Sequence, residues 1–100
     1  SGCGPAFLFR FIDALGAAGA RLGLPEDQAQ RLALATVQGA ATLAAQADEP
    51  PGTLADRVAS PGGMTRQGMN VLDEDERLVT LLTDTLRAAR DRGEEMARGN

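Results

Sequence analysis

The chain has no histidine, lysine, tyrosine or tryptophan, and only one cysteine. Without those side chains, acid–base work falls to carboxylates, and neither a zinc cluster nor a lysine Schiff base can form. No metal site is expected. Cys3 has no second cysteine to pair with and no histidine to activate it, which fits a reduced, cytoplasmic setting. Aromatic residues stop at three phenylalanines, and β-branched residues are scarce, so little in the chain favours strands. The longest uncharged run, 32–47, falls short of a membrane span and carries Thr36, Gln38, Thr42 and Gln46, which lipid would penalise. No signal-peptide pattern is present, and a membrane is not an expected partner. The ten basic residues, all arginine, are outnumbered by 14 acids and scattered along the chain. They form no positive stripe for phosphates, so nucleic acid is not an expected partner either.

What is present is a helix-forming mixture, with 18 alanines and 13 leucines among 100 residues. The fold class expected is all-α, of about five helices in a single domain over 1–100. A chain this short leaves much apolar surface exposed unless a partner covers it, so self-association is expected.

Pro5 suits a first helical turn, and Leu8, Phe11, Ile12, Leu15 and Leu22 keep one face apolar, predicting a first helix from Pro5 to Leu22. Its small residues, Ala14, Gly16, Ala17, Ala18, Gly19 and Ala20, allow another helix to approach closely. Gly23 ends that helix and Pro25 opens the next, with Glu26 and Asp27 in the first turn. So short a linker argues for an antiparallel pair. The second helix runs to about Gln46 and is only weakly amphipathic, which points to burial against a second copy.

Asp48-Glu49-Pro50-Pro51-Gly52 breaks the pattern. Thr53 is then expected to start a short helix, with Asp56 three residues on as a capping-box variant. A fourth helical piece is predicted from Met64 to Leu72. Asp73 and Glu76 are placed to cap a last helix carrying Leu78, Leu81, Leu82, Leu86 and Ala89, with Arg87, Arg90 and Arg92 suiting its C-terminal half. The run 73–76 lacks the alternation and glycine of a calcium loop and reads as a solvated helix start.

Between the third and fourth pieces stands Ser60-Pro61-Gly62-Gly63-Met64-Thr65. The two glycines let a ligand reach the backbone, the following helix offers amides with no partner inside it, and its positive end favours a carboxylate or phosphate. Pro61 stiffens the approach, and the Thr65 hydroxyl can both donate and accept. The same residues also suit a plain turn before a helix, with Ser60 helping to cap it.

The segments "SGCGPAFLFRFIDALGAAGARLGLPEDQAQRLALATVQGAATLA" and "LADRVASPGGMT" resemble the C-terminal domain of pyrroline-5-carboxylate reductase, the last enzyme of proline biosynthesis. The resemblance runs from Ser1 to about Met96 and is strongest at 1–6, at 19–25 and at 56–65. It implies a helical fold like the C-terminal domain of 6-phosphogluconate dehydrogenase, interlocked as a homodimer and open to higher assembly. The family reduces a cyclic imine to L-proline with NADPH or NADH. In it the SPGGxT loop holds the small carboxylate substrate, here through Ser60, Gly62, Gly63, Met64 and Thr65, and the threonine hydroxyl, here Thr65, lies near the imine nitrogen as the candidate catalytic group.

Four departures stand out. Cys3 replaces a common serine, Met64 a usually smaller residue, and Asp73-Glu74-Asp75-Glu76 a Gly-Gly-aromatic turn. No strand followed by GxGxxG occurs, so the family's N-terminal Rossmann domain is absent here. The chain alone is expected to bind no cofactor and to be inactive. Beginning without methionine inside a family block, it is expected to be a piece of a longer protein. A related imine or β-hydroxyacid-type reductase, or a non-catalytic helical dimerisation module, are the alternative readings.

Overall fold

The computed structural model describes residues 3–99, and within these every regular element is a helix. The helices are α1 (Cys3–Arg21), α2 (Glu26–Gln46), α3 (Pro51–Arg57), α4 (Met64–Asp73) and α5 (Arg77–Ala97), with one 3-10 turn, Glu74–Glu76, between the last two. The chain divides into two compact units, 1–51 and 52–100. Ser1 and Gly2 of the opening family block lie outside the described residues.

The first unit is a helical hairpin. A Schellman motif ends α1: the Leu24 amide donates to the Gly19 carbonyl (3.2 Å) and the Gly23 amide to that of Ala20 (3.0 Å), while Gly23 takes φ +112. Glycine adopts that angle at no steric cost, which is why the turn needs only the residues between Arg21 and Glu26. Pro25 is the N-cap of α2, and its carbonyl accepts the first helical bond from Ala29 (2.9 Å).

α1 and α2 then pack along their small residues. A Cβ at Gly16 would lie 2.6 Å from Gln30 Cδ, and one at Gly19 would lie 3.4 Å from the Ala29 Cβ. These pairings run in opposite directions along the two helices, so the hairpin is antiparallel as the linker length predicts. Ala29 and Ala33 are the buried apolar residues of this unit. Gly16 and Gly19 serve close helix packing, the plain reading of the stripe's composition, while Ala14, Ala17 and Ala18 are exposed.

In the second unit the element boundaries differ from the sequence reading in three places. α3 starts at Pro51 instead of Thr53, since proline's missing amide is no loss at a first helical position. Asp56 does not reach back as in a capping box; its carboxylate accepts from Arg66 at 3.3 Å. Asp73 and Glu76 do not cap the last helix either. Asp73 is the final residue of α4, and α5 follows an N-cap Glu76 that makes no side-chain cap bond.

The junction instead turns on two left-handed residues, Asp75 (φ 52) and Glu76 (φ 53). Two such residues redirect the backbone abruptly, at a steric cost that glycine would not carry. The arginines of α5 also find other partners than the helix end: Arg87 pairs with Asp84, Arg90 with Asp91 and Glu94, and Arg92 with Glu95.

Candidate functional site: the turn entering α4

Ser60, Pro61, Gly62 and Gly63 form one β-turn. The Gly63 amide donates to the Ser60 carbonyl at 3.1 Å, Pro61 occupies the second position and Gly62 the third with φ +75. Proline followed by a positive-φ glycine is the type II pattern, so the sequence determines the turn type directly. Gly63 is the N-cap of α4, extended at φ −81 and ψ 172, and its carbonyl accepts from the Gln67 amide at 3.1 Å.

That is the first intrahelical bond of α4, so the amides of Met64, Thr65 and Arg66 precede the ladder and face outward. No side chain caps them, which corrects the reading of Ser60 as a capping residue. The turn brings its hydroxyl elsewhere: a Cβ at Gly63 would stand 2.7 Å from Ser60 Oγ. Ser60 Oγ and the Gly63 backbone are therefore neighbours, and a Cβ at Gly63 would displace the hydroxyl.

Met64 and Thr65, the first two residues of α4, are exposed, Met64 at 93 %. Uncapped amides, a helix N-terminus with partial positive charge and an exposed hydroxyl one residue in are thus brought together by a single turn. Free amides at a positive helix end are donors of the kind that suit a small anion, and the Thr65 hydroxyl can both donate and accept. A surface depression of about 460 Å³ on α4 is lined by Gln67, Asn70, Val71, Asp73 and Glu74, and no residue of the turn lines it. Ser60, Pro61 and Gly62 are exposed on the second unit, and Gly63 is half-buried.

Arg66 was not singled out from the sequence, although it follows directly on the family-like block that ends at Thr65. Its Nη1 and Nη2 donate to Asp56 Oδ1, both at 3.3 Å, and Nη2 also donates to the Ala59 carbonyl at 3.2 Å. Among the described residues, no group of three or more His, Cys, Asp or Glu is placed to hold a metal ion. None of their helices is long and apolar enough to cross a membrane.

The family model described as pyrroline-5-carboxylate reductase dimerisation matches residues 1–96. The chain is 42% identical over 90 residues to pyrroline-5-carboxylate reductase of Arabidopsis thaliana, covering 90% of this chain and 33% of that protein. It is 41% identical over 98 residues to the Synechocystis enzyme of the same name, covering 98% and 36%. Among solved structures, the pyrroline-5-carboxylate reductase of Coxiella burnetii is similar with a TM-score of 0.86 at 40% identity, covering 95% of this chain and 35% of that one. Pyrroline carboxylate reductase of Plasmodium falciparum, solved with NADP bound, gives 0.80 at 33% identity, covering 91% and 35%. The chain spans about a third of the length of the relatives it matches.

Proposed function

Since the chain belongs to the pyrroline-5-carboxylate reductase dimerisation family, we propose that it is the dimerisation and substrate-binding domain of such an enzyme, working in the cytoplasm. The activity is the NAD(P)H-dependent reduction of 1-pyrroline-5-carboxylate to L-proline, in which the cofactor supplies a hydride to the imine carbon. The described residues contain no strand and so no strand-to-helix dinucleotide cradle, so the cofactor is assigned to a Rossmann segment outside this chain.

The observation that carries the substrate reading is the turn itself. Its uncapped amides and positive helix end suit one carboxylate, and the exposed Thr65, on the same first helical turn, offers a hydroxyl to a ring nitrogen next to that carboxylate. In this reading the amides of Met64 and Thr65, with Ser60 Oγ and the open backbone of Gly62 and Gly63, hold the carboxylate; the Gly63 amide, expected to join them, is already bonded to the Ser60 carbonyl. The Thr65 hydroxyl polarises or protonates the imine nitrogen. The rest of the pocket comes from the cofactor segment, contributed by the partner subunit of an interlocked homodimer.

The partners are thus a second copy and a small carboxylate, with neither nucleic acid nor membrane. A related imine or β-hydroxyacid-type reductase and a non-catalytic module find no support in the relatives named above.

Thr65 provides the test. In the full-length protein carrying this chain, Thr65→Ala lowers turnover of pyrroline-5-carboxylate by about 10²-fold or more, as for loss of a positioned proton donor, and Thr65→Ser restores most of it. Steady-state kinetics with L-proline titration by calorimetry measures both. Turnover and proline affinity unchanged in Thr65→Ala would sink the assignment.

A further inference from the structure

Arg66 is held in a way that its position on an exposed helix does not require. Its side chain is 27% exposed while that of Asp56 is 70% exposed, so the cation, not the acid, is the more enclosed member of the pair. Nη1 and Nη2 both reach Asp56 Oδ1, near the end of α3, and Nη2 reaches the Ala59 carbonyl at 3.2 Å. Ala59 is 3% exposed and directly precedes Ser60. One guanidinium thus ties together the end of α3, the residue entering the turn and the first turn of α4.

An exposed ion pair of this kind adds little to global stability. Its leverage on direction is greater. Hydrogen bonds weaken steeply as their angle departs from linear, and small misplacements of a binding group cost far more than the contact that fixed it. We propose that Arg66, held by Asp56, is a positioning residue: it fixes the chain on both sides of the Ser60–Gly63 turn and so aims the free amides at the substrate carboxylate. The inference rests on the carboxylate reading above.

The rival role is direct charge attraction, with Arg66 itself binding the carboxylate. The two roles differ in sign at Asp56. Removing the acid would free a directly binding arginine and tighten carboxylate binding, whereas it unpins a positioning arginine and weakens it.

The experiment compares Arg66→Ala, Arg66→Lys, Asp56→Ala and the double alanine variant in the full-length protein, each checked for native helix content by circular dichroism. Expected for Arg66→Ala is a KM for pyrroline-5-carboxylate raised about tenfold with kcat within about twofold. Asp56→Ala does the same, the double variant is no worse than either, and Arg66→Lys, keeping one donor site, falls between. Amide exchange at Gly63, bonded to Ser60, quickens in Arg66→Ala.

An unchanged KM in Arg66→Ala, or a lowered KM in Asp56→Ala, overturns the proposal. If the wild-type protein neither turns over the imine nor binds L-proline, the functional reading fails instead. Exchange at Gly63 then still decides whether Arg66 pins the turn, and exchange unaltered by Arg66→Ala overturns that too.

Discussion

The two glycines of the turn do different jobs, and substitution separates them. Gly62 holds φ +75 with nothing within 4 Å of an added Cβ, so alanine there meets backbone strain and no clash. Gly62→Ala is expected to cost about 1–2 kcal/mol, with asparagine milder, measured by urea denaturation. Gly63 has ordinary angles, but an added Cβ would stand 2.7 Å from Ser60 Oγ and 3.3 Å from the Ser60 carbonyl. The hydroxyl can rotate away, so Gly63→Ala is expected to change stability by less than about 1 kcal/mol while weakening L-proline binding, because the rotated hydroxyl leaves the site. A loss of stability without loss of binding would reverse these roles. The sequence made the turn legible, since Pro-Gly in its middle positions specifies type II. It did not make Arg66 legible, because a guanidinium reaching ten residues back leaves no local pattern.

At the scale of elements, helix spans were readable wherever periodicity and a glycine or proline agreed. The α1–α2 hairpin is the clearest case: Gly23 and Pro25 mark its turn, and the small residues mark its packed faces. Gly19 sets the approach there. A Cβ on it would already lie 3.4 Å from the Cβ of buried Ala29, so Gly19→Val, with two further methyls, is expected to push the helices apart at a cost of about 1–3 kcal/mol, read from thermal unfolding. The α4–α5 junction was misread because an Asp-x-x-Glu capping pattern and a left-handed corner draw on the same polar residues. Asp75 and Glu76 carry positive φ, an angle that glycine adopts without strain. Glu76→Gly relieves a strain of about 1–2 kcal/mol, partly offset by the greater freedom glycine loses on folding. The expected net is a gain of up to about 1 kcal/mol in chemical denaturation.

For the whole molecule, the decisive fact is how little is buried. Among the described residues the buried apolar ones are Ala29, Ala33 and Ala59, while Phe9 is 69% exposed and Leu22 90%. A chain with 13 leucines, none of them buried, has its main hydrophobic contribution still to make. Composition alone could not say which faces remain open. The structure identifies the α5 stripe among them, with Leu81, Leu82 and Leu86 each at least half exposed. A symmetric pair would use such a residue twice. Burying one leucine contributes about 1.5–3 kcal/mol, so two copies contribute about 3–6 kcal/mol, or roughly 10²- to 10⁴-fold in dimer affinity. Leu86→Asp is therefore expected to shift the protein from dimer to monomer in sedimentation run over a dilution series. The same change costs an isolated protomer little, because Leu86 is already 60% exposed. A dimer that persists in Leu86→Asp at the same midpoint concentration would remove α5 from the interface and leave its leucines without a covering surface.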